Sequence, residues 1–467
     1  MKTVPDQSPS ATLFVVSAVQ FFSPFMMSAV GVALPAIGHE FGAGASHLSM
    51  VEMIYILAVS LCMLPAGRLA DIHGRKKIFL GGLLLFIAGT LLLALASSMR
   101  LFIFFRFFQG VGAALGTATS VAILTSVVPP AQRGRAMGIV VAAVYIGLSV
   151  GPTLAGVLIT HFGWRWIFYL ALPFEGLALL LTLTHLKGEW RGAPGARFDW
   201  QGSLIFMAAL SALIFGASHF DQGSIFQAIL GCGVLGVAGF LLFEARCDSP
   251  LLNVRLLTGN KVFAFSNLAT LINYAASFGV TFFFSLYLQQ VKGLSPQSAG
   301  FLLITQPLVQ ALLSPLSGRL SDLYPPARIS TFGMAICTVA LGLCTLIDQA
   351  TPLPHILAVL ALMGTGFGFF SSPNMTTVMG SVAPKDYGIA SSLIATMRTI
   401  GMLVAMTTIT FMLTLFMGDA PVTLKTADAF LRTMKTGFLI FTLLSIVGIF
   451  CSMGRVENGA QTTASQS

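Results

Sequence analysis

Four charged side chains interrupt long apolar segments of this 467-residue chain, where a charge is costly. They are Glu52, Arg106, Glu175 and Arg398. Each costs about 2.5–3.5 kcal/mol at the centre of a membrane helix, so each is a candidate functional residue. Because a carboxyl group removed from water accepts a proton more readily, a buried acid suits a proton carrier. Glu52, Arg106 and Glu175 are therefore the candidate residues for proton coupling.

Both acids also have structural interpretations. Glu175 lies near the middle of its apolar segment, beside Pro173, where it could form a structural ion pair. Glu52 lies about one turn inside its segment, where it could stay hydrated at the membrane surface. The residues alone leave the functional and the structural interpretations open.

The composition places these residues in a lipid environment. Hydrophobic residues make up 56% of the chain and charged residues only 9%, whereas charged residues are about a quarter of a soluble protein. Backbone polar groups in lipid are satisfied only in helices or closed barrels, and apolar runs of about 20 residues favour helices. The predicted fold class is an all-α integral membrane protein.

The remaining composition argues against other classes of site. The formal net charge is +9, but the basic residues are dispersed over short loops, so no nucleic-acid partner is expected. The six cysteines contain no C-x-x-C pair and the seven histidines form no cluster, so neither a metal site nor a cofactor is expected. The sequence has no Ser/His/Asp grouping and no nucleotide-binding loop, so catalytic residues are not predicted either.

Fourteen apolar segments are long enough to span a bilayer. They are residues 11–36, 48–70, 78–98, 101–127, 136–160, 164–186, 201–219, 225–245, 262–289, 298–320, 329–347, 354–378, 388–416 and 434–453. With the N-terminus in the cytoplasm, most of the 25 Lys and Arg residues fall in the inner loops. Because positive residues stay on the cytoplasmic side, this bias puts both termini inside.

A repeated loop indicates that the chain contains two copies of one unit. The stretch GRLADIHGRKK (67–77) follows the second span and GRLSDLYPPAR (318–328) follows the tenth. Duplicated bundles with a pathway between them are a common transporter architecture. The predicted domains are a cytoplasmic N-terminus at 1–10, an N-terminal six-helix bundle at 11–190, two linker helices at 191–261, a C-terminal six-helix bundle at 262–453 and a disordered cytoplasmic tail at 454–467.

Three stretches resemble signatures of the major facilitator superfamily. GRLADIHGRKK resembles its loop signature, RFFQGVGAALG (106–116) its fourth-helix signature, and GLSVGPTLAG (147–156) its fifth-helix antiporter signature. Fourteen spans arranged as six, two and six are similar to the drug:proton antiporter branch. The resemblance implies two six-helix bundles with two inserted helices and a multidrug efflux function. It also implies that Arg106 influences the protonation of a nearby acid.

The repeated loop predicts a latch between the two halves on the cytoplasmic side. Asp71 lies at a helix C-terminus, where the helix dipole disfavours an acid unless a positive group answers it. Arg68 shares its helix face, and the resemblance implies a second partner, the N-terminus of the thirteenth helix near Gly388. Gly67 would let the two backbones come close. The alternative, that the basic residues only set the topology, accounts for Arg75 but not for Asp71.

The second copy predicts a weaker latch, because YPPAR replaces the basic run. Asp322 is expected to meet the start of the fifth helix near Arg133 and Arg135. The candidate latch residues in the two copies are Gly67, Arg68, Asp71, Arg75, Gly318, Arg319 and Asp322.

The antiporter signature predicts a smooth stripe on the fifth helix. Its residues are Gly147, Gly151, Pro152 and Gly156. The glycines allow close helix contact and the proline kinks the helix. Ordinary helix packing is the alternative explanation for the same glycines.

The first helix departs from the antiporter pattern. Many fourteen-span antiporters carry a buried aspartate there shortly before ALP, whereas the stretch SPFMMSAVGVALP has Met26 at that position. The usual coupling site and the preference for cationic drugs are therefore open. The candidate cavity residues are Gln20, Met26, Gln109, Tyr145, Asn273, Tyr274, Gln306, Gln310 and Asn374. Amides with flexible Met and Phe walls suit varied lipophilic ligands.

The leading interpretation is a secondary active exporter of amphipathic or lipophilic compounds, exchanged for protons by alternating access. A metabolite exporter of narrow specificity is the first alternative, and a membrane sensor on a transporter scaffold is the second. The expected partners are a small-molecule substrate, protons and the lipid bilayer. The chain is expected to be a monomer in a bacterial inner (plasma) membrane.

Overall fold

The structure is a computed structural model that describes residues 9–43, 45–218, 220, 223–418 and 426–464. Its regular elements within these ranges are helices, without strands. Among the described residues, fourteen helical segments are long and apolar enough to cross a membrane, which agrees with the number predicted from sequence. The chain is thus an all-α integral membrane protein.

Six long helices make up the first part of the chain. They are α1 (Pro9–Phe41), α2 (Ala45–His73), α3 (Arg75–Ala94), α4 (Met99–Val127), α5 (Arg133–Phe162) and α6 (Arg165–His185). Gly74 alone separates α2 from α3, and its φ of 121° is accessible to glycine at little cost. This one-residue break places Arg75 at the first position of α3, close to the end of α2.

The remaining helices include two departures from simple spans. The helices are α7 (Trp200–Ser218), α8 (Ser224–Glu244), α9 (Val254–Gly259), α10 (Lys261–Leu286), α11 (Pro296–Leu303), α12 (Thr305–Leu323), α13 (Pro326–Cys344), α14 (Leu353–Gly380), α15 (Tyr387–Met417) and α16 (Ala427–Ala464). The tenth predicted span is divided into α11 and α12 at Ile304, because Pro307 lacks the N–H that would continue the ladder. A π-helix, Tyr287–Val291, extends α10.

The last helix extends beyond the fourteenth predicted span. α16 continues to Ala464, and the disordered tail expected at 454–467 stays a prediction. Once a helix is nucleated, each further residue adds a hydrogen bond, and this segment contains no proline that would stop it. Residues 465–467 lie outside the described part of the chain.

The chain divides into two compact units by its internal contacts. The first unit contains Met1–Met207, Phe243–Asn253 and Val382–Thr396, as far as these ranges are described. The second contains Ala208–Leu242, Val254–Ser381 and Met397–Ser467 in the same sense. The first turns of α15 therefore belong to the first unit, where they pack on α2. The domain limits predicted at 190, 261 and 453 stay predictions.

Each unit contains a closely packed helix pair at the corresponding place of its copy. In the first unit α3 packs on α4, and a Cβ at Gly112 would lie 2.5 Å from the Phe86 nitrogen. In the second unit α13 packs on α14, and a Cβ at Gly366 would lie 2.7 Å from the Cys337 nitrogen. These equivalent contacts are what two copies of one helical unit would produce.

Candidate functional site

The carboxylate of Asp71 is buried at the end of α2, where it has two kinds of partner. Its Oδ1 accepts hydrogen bonds from Arg75 Nη2 at 2.7 Å and Arg75 Nε at 2.9 Å. Its Oδ2 accepts from the Ile389 N–H in the first turn of α15 at 3.2 Å. The contact between Asp71 and the start of the thirteenth span, expected from the sequence, is therefore present. The free N–H groups and the dipole of that helix end both favour an anion.

Arg75 is buried at the centre of this group of contacts. Its Nη1 donates to Ser126 Oγ in α4 at 2.9 Å, and its Nη2 also donates to the Pro384 carbonyl at 2.9 Å. Its guanidinium lies over the Tyr387 ring at 5.6 Å. We call Asp71, Arg75, Ser126, Pro384, Tyr387 and Ile389 the Asp71 cluster. Topology alone does not explain an arginine with so many buried partners.

Arg68 is a more distant partner of Asp71 than Arg75. The sequence suggested it as the ion partner on the same helix face, and it does interact electrostatically with Asp71, but the hydrogen-bonded ion pair is made by Arg75. The side chain of Arg68 is largely buried, and its Nε has no hydrogen-bond partner among the described residues. The spacing of four residues between Asp71 and Arg75 was a usable signal, hidden by the helix break at Gly74.

Two glycines let the backbones of α2 and α15 approach closely. A Cβ at Gly67 would lie 2.6 Å from the Gly388 carbonyl oxygen and would collide with Ser392. A Cβ at Gly388 would lie 2.5 Å from both carboxylate oxygens of Asp71. Larger side chains at either position would separate the acid from the helix terminus.

The loop after α6 adds contacts that the sequence did not predict. The carbonyl of Asp71 accepts hydrogen bonds from the N–H groups of Gly192 and Ala193, each at 2.9 Å. The Trp190 carbonyl accepts from the Arg75 N–H at 2.9 Å. Glu189 Oε1 accepts from the Lys76 N–H at 2.9 Å, which satisfies a free donor at the start of α3. The loop thereby fixes the backbone on both sides of Gly74.

The second copy of the loop lies in the other unit. In α12, Gly318 is buried, Arg319 is exposed and Asp322 is partly buried. The meeting of Asp322 with the start of the fifth helix stays a prediction.

A second buried polar network joins the three candidate proton-coupling residues. Glu52 Oε1 lies 3.8 Å from Arg106 Nη2, and Arg106 Nη1 donates to Gln109 Oε1 at 2.8 Å. Gln109 Nε2 donates to Thr90 Oγ1 at 3.0 Å, and Thr90 Oγ1 lies 3.3 Å from Glu175 Oε1. We call these five residues the Glu52–Glu175 chain. It crosses the first unit through α2, α4, α3 and α6.

The two acids at the ends of the Glu52–Glu175 chain differ in exposure. Glu52 is 27% exposed, whereas Arg106 and Glu175 are fully buried. The Arg106 guanidinium also lies over the Tyr55 ring at 4.2 Å, a distance typical of a cation–π contact. Glu175 Oε2 has no hydrogen-bond partner among the described residues. A buried carboxyl oxygen without a partner is unusual, so Glu175 is a functional candidate.

A small cavity adjoins the buried end of the chain. Its volume is about 10 Å³, and Ser23, Glu175 and Gly112 are among the residues that line it. Such a cavity has room for about one water molecule. Ser23 Oγ lies 2.8 Å from the Tyr55 hydroxyl, so the cavity also leads back towards Arg106.

The antiporter stripe contacts α1 through two of its glycines. A Cβ at Gly147 would lie 2.5 Å from the Phe21 carbonyl oxygen, and a Cβ at Gly151 would lie 2.9 Å from that of Phe25. Pro152 lies inside α5. A Cβ at Gly156 would have no neighbour within 4 Å, so this glycine is not required for the contact.

Gly151→Val is therefore expected to destabilise the protein, and Gly156→Val is its matched control. Overpacking typically costs about 1–3 kcal/mol, which should lower the midpoint of thermal unfolding in detergent by several degrees. The same substitution at Gly156 should leave the midpoint nearly unchanged. Equal midpoints for the two variants would contradict the α1–α5 contact.

The cavity candidates of the first unit have different surroundings. Gln20 and Met26 are buried, and Met26 belongs to the apolar core of the unit. Gln109 is part of the Glu52–Glu175 chain rather than a free amide. Tyr145 is partly buried. At the position of the missing aspartate the structure thus has only an apolar side chain.

The amide candidates of the second unit are buried, and most are hydrogen-bonded. Gln306 Nε2 donates to Ser277 Oγ at 2.8 Å, and Gln310 Nε2 donates to Ser371 Oγ at 3.2 Å. Asn374 Nδ2 donates to Thr270 Oγ1 at 2.8 Å, whereas the Cys337 thiol is the one partner of the Asn273 amide within the described part of the chain. The last candidate is Tyr274, whose ring lies 5.2 Å from the Arg398 guanidinium.

Comparisons with known proteins agree on one family. A family model described as the Major Facilitator Superfamily matches residues 16–243 and 266–464. The riboflavin transporter RibZ of Clostridioides difficile (strain 630) is 29% identical over 391 residues, which cover 83% of this chain and 84% of RibZ. The multidrug resistance protein Stp of Mycobacterium tuberculosis (strain ATCC 25618 / H37Rv) is 32% identical over 379 residues, which cover 80% of this chain and 70% of Stp.

A solved structure has a similar fold. The crystal structure of the human organic anion transporter MFSD10 (TETRAN) matches with a TM-score of 0.68 at 16% sequence identity. The match covers 94% of this chain and 100% of that chain. At this identity the likeness concerns the fold alone.

Proposed function

Because the chain belongs to the major facilitator superfamily, we propose that it is a secondary active efflux transporter that exchanges its substrate for protons. Proteins of this family are transporters and not enzymes, so a small-molecule substrate and a bilayer are its partners. The exported compounds are amphipathic or lipophilic molecules such as drugs, and export proceeds by alternating access. The observation that carries the proton coupling is the Glu52–Glu175 chain.

Two acids with one buried arginine between them suit proton exchange. Arg106 is fully buried, and the carboxylate of Glu52 is its one charged neighbour in the network, at 3.8 Å. At this distance Arg106 stabilises the ionised carboxylate of Glu52 only loosely, so the pair separates readily when Glu52 binds a proton. Glu175 is sealed from solvent and lacks a full set of partners, which suits a site that alternates between two protonation states.

The Asp71 cluster supports the latch role proposed from the sequence. It joins the end of α2 to the first turn of α15 through buried charge-assisted hydrogen bonds, which are stronger than neutral ones. The proposed cluster faces the cytoplasm, with both termini on that side of the bacterial inner membrane, and the transporter works as a monomer. Gly318, Arg319 and Asp322 form the weaker counterpart.

The substrate class follows from the candidate cavity residues. Met26 replaces an acid, and Gln306, Gln310 and Asn374 offer amides that change partners at little electrostatic cost. Neutral or weakly polar ligands suit such a surface, and Stp is named a multidrug resistance protein. The same amides favour a second candidate function, a narrow-specificity metabolite exporter. RibZ is named a riboflavin transporter.

Glu175→Gln is expected to reduce the effect of a proton gradient on transport about tenfold, because a glutamine cannot bind and release the proton. The measurement is dye efflux in proteoliposomes, with and without a pH gradient, for wild type, Glu175→Gln and Glu52→Gln. Exchange of labelled for unlabelled substrate without a gradient should persist in both variants. Glu40→Gln is the control, since Glu40 pairs with Arg165 at the exposed end of α1. Wild-type transport that ignores the gradient would contradict proton antiport.

A further inference from the structure

We infer that Thr90 is a positioning residue that couples the ionisation of Glu175 to that of Glu52 through Gln109 and Arg106. The inference rests on the proposed function, in which these acids exchange protons during transport. Thr90 stands at the centre of the Glu52–Glu175 chain, on α3 between Gln109 of α4 and Glu175 of α6.

The Thr90 hydroxyl has one proton and two acceptors within reach. Its Oγ1 lies 3.0 Å from the Phe86 carbonyl oxygen and 3.3 Å from Glu175 Oε1. A hydroxyl donates one hydrogen bond and accepts two. When Glu175 is ionised, the hydroxyl donates to the carboxylate. When Glu175 is protonated, the acid donates to Thr90 Oγ1 and the hydroxyl turns to Phe86. The proton released by Glu175 goes to water.

Gln109 transmits this reversal to Arg106 because its amide has a fixed orientation. Its Oε1 accepts from Arg106 at 2.8 Å, and its Nε2 donates to Thr90 at 3.0 Å. Rotating the amide would turn its NH₂ group towards the guanidinium, which has no acceptor. The strength of the Gln109–Thr90 bond therefore depends on what Thr90 donates to. Arg106 in turn shares its charge between Gln109 and Glu52.

Few other charged groups lie near the Glu52–Glu175 chain. Besides its own members, the titratable Tyr55 contacts it, with the ring 4.2 Å from the Arg106 guanidinium. The helices packed on α2, α3, α4 and α6 carry their remaining such groups mostly in terminal turns. These groups are His39, Glu40, His47, Arg68, Asp71, His73, Arg75, Lys76, Lys77, Arg100, Arg133, Arg135, His161, Arg165, Tyr169, His185 and Tyr387, with Cys62 inside α2 and Tyr145 inside α5. Coupling between the two acids thus depends on Arg106 and on the neutral residues that lead to it.

The cavity beside Glu175 provides a place for the released proton. It has room for about one water molecule and is lined by Ser23 and Glu175. A water bound there would accept a hydrogen bond from the Ser23 hydroxyl and donate one to the ionised Glu175 carboxylate. Because Ser23 contacts the Tyr55 hydroxyl at 2.8 Å, the cavity is a second polar connection to the region of Arg106.

Thr90→Val tests the coupling because valine has the shape of threonine without its hydroxyl. Thr90→Ser keeps the hydroxyl and should behave as wild type. Thr182→Val is the matched control, because Thr182 is buried on α6 and its hydroxyl donates to the Ala178 carbonyl of its own helix. All variants are made in the full chain and reconstituted in lipid nanodiscs.

The readout is the infrared band of protonated carboxyl groups, followed against pH. Loss of a band in Glu175→Gln or Glu52→Gln assigns it to its residue. In the wild-type background, Glu175→Gln should move the midpoint of the Glu52 titration by about tenfold in proton concentration, which is one pH unit. In the Thr90→Val background, Glu175→Gln should move the midpoint of the Glu52 titration less than twofold in proton concentration. An undiminished shift in the Thr90→Val background, or an equal loss in Thr182→Val, overturns the inference.

Transport assays on the same variants separate this inference from the proposed function. Linked titrations together with transport that ignores the pH gradient would refute proton antiport and leave the coupling intact. Gradient-driven transport together with independent titrations would refute the coupling and leave the antiport intact. Thr90→Ser should restore both readouts.

Discussion

Arg75→Leu is expected to lower substrate efflux at least 100-fold. The guanidinium of Arg75 neutralises a fully buried carboxylate at 2.7 Å and joins it to α4 and to the segment before α15. Removing one partner of a buried ion pair typically costs about 3–5 kcal/mol, because the other charge stays buried and unpaired. Each 1.4 kcal/mol changes an equilibrium about tenfold. A cost of about 3 kcal/mol should therefore lower the population of the conformation held by the Asp71 cluster about 100-fold or more.

Lys77→Leu is the control for this substitution. It removes one positive charge from the same loop, but the Lys77 side chain is exposed. If the basic residues only set the topology, the two variants should behave alike. Efflux into inverted vesicles and the midpoint of thermal unfolding are measured for both, with the amount of inserted protein as reference. Comparable losses in Lys77→Leu would contradict a special role for Arg75.

The double variant Asp71→Asn with Arg75→Leu separates stability from transport. It removes both buried charges, so much of the lost thermal stability should return. Efflux should stay low, because the contact with the start of α15 has lost its charge. Recovery of efflux along with stability would mean that the Asp71 cluster is only a structural ion pair.

The number of spans could be predicted because the solvent leaves few alternatives. A chain in lipid must satisfy its backbone within each segment, so every apolar run of about 20 residues becomes a helix. Local departures from a regular α-helix could not be predicted from the apolar pattern of the sequence. The break at Ile304 and the π-helix at Tyr287–Val291 change hydrogen bonds without changing the apolar character of the segment. At the end of α16, a polar segment continues the helix of the apolar segment before it.

The candidate site was partly visible in the sequence for an electrostatic reason. Charges such as Glu52, Arg106 and Glu175 are costly in an apolar segment, so each was conspicuous by itself. Their connection was not visible, because it depends on Thr90 and Gln109. A buried threonine usually donates to its own helix, as Thr182 does, and only the packing of α6 against α3 shows a second acceptor. Neutral relays carry no sequence signal of this kind.

Arg75 illustrates the same limit in a charged residue. Five charges in the loop 67–77 have an adequate explanation in membrane topology. Which of them is buried is decided by the contacts of the loop with Ser126, Pro384 and Trp190, all distant in the chain. The acid at a helix C-terminus was the informative anomaly, since the dipole there demands a partner. The sequence could predict that Asp71 has a partner but not which arginine it is.

Gly67→Val is expected to reduce efflux about 30-fold without preventing insertion. A Cβ at this position would lie 2.6 Å from the Gly388 carbonyl oxygen, a backbone atom that cannot rotate away. Overpacking of about 2 kcal/mol corresponds to this factor, and it should move the first turn of α15 away from α2. Hydrogen exchange at the Ile389 amide should then accelerate, because its bond to Asp71 is lost. Gly81→Val in α3 is the control, since a Cβ there meets open space. Slow exchange at Ile389 with reduced efflux would show that Gly67 acts by another route than the Asp71 contact.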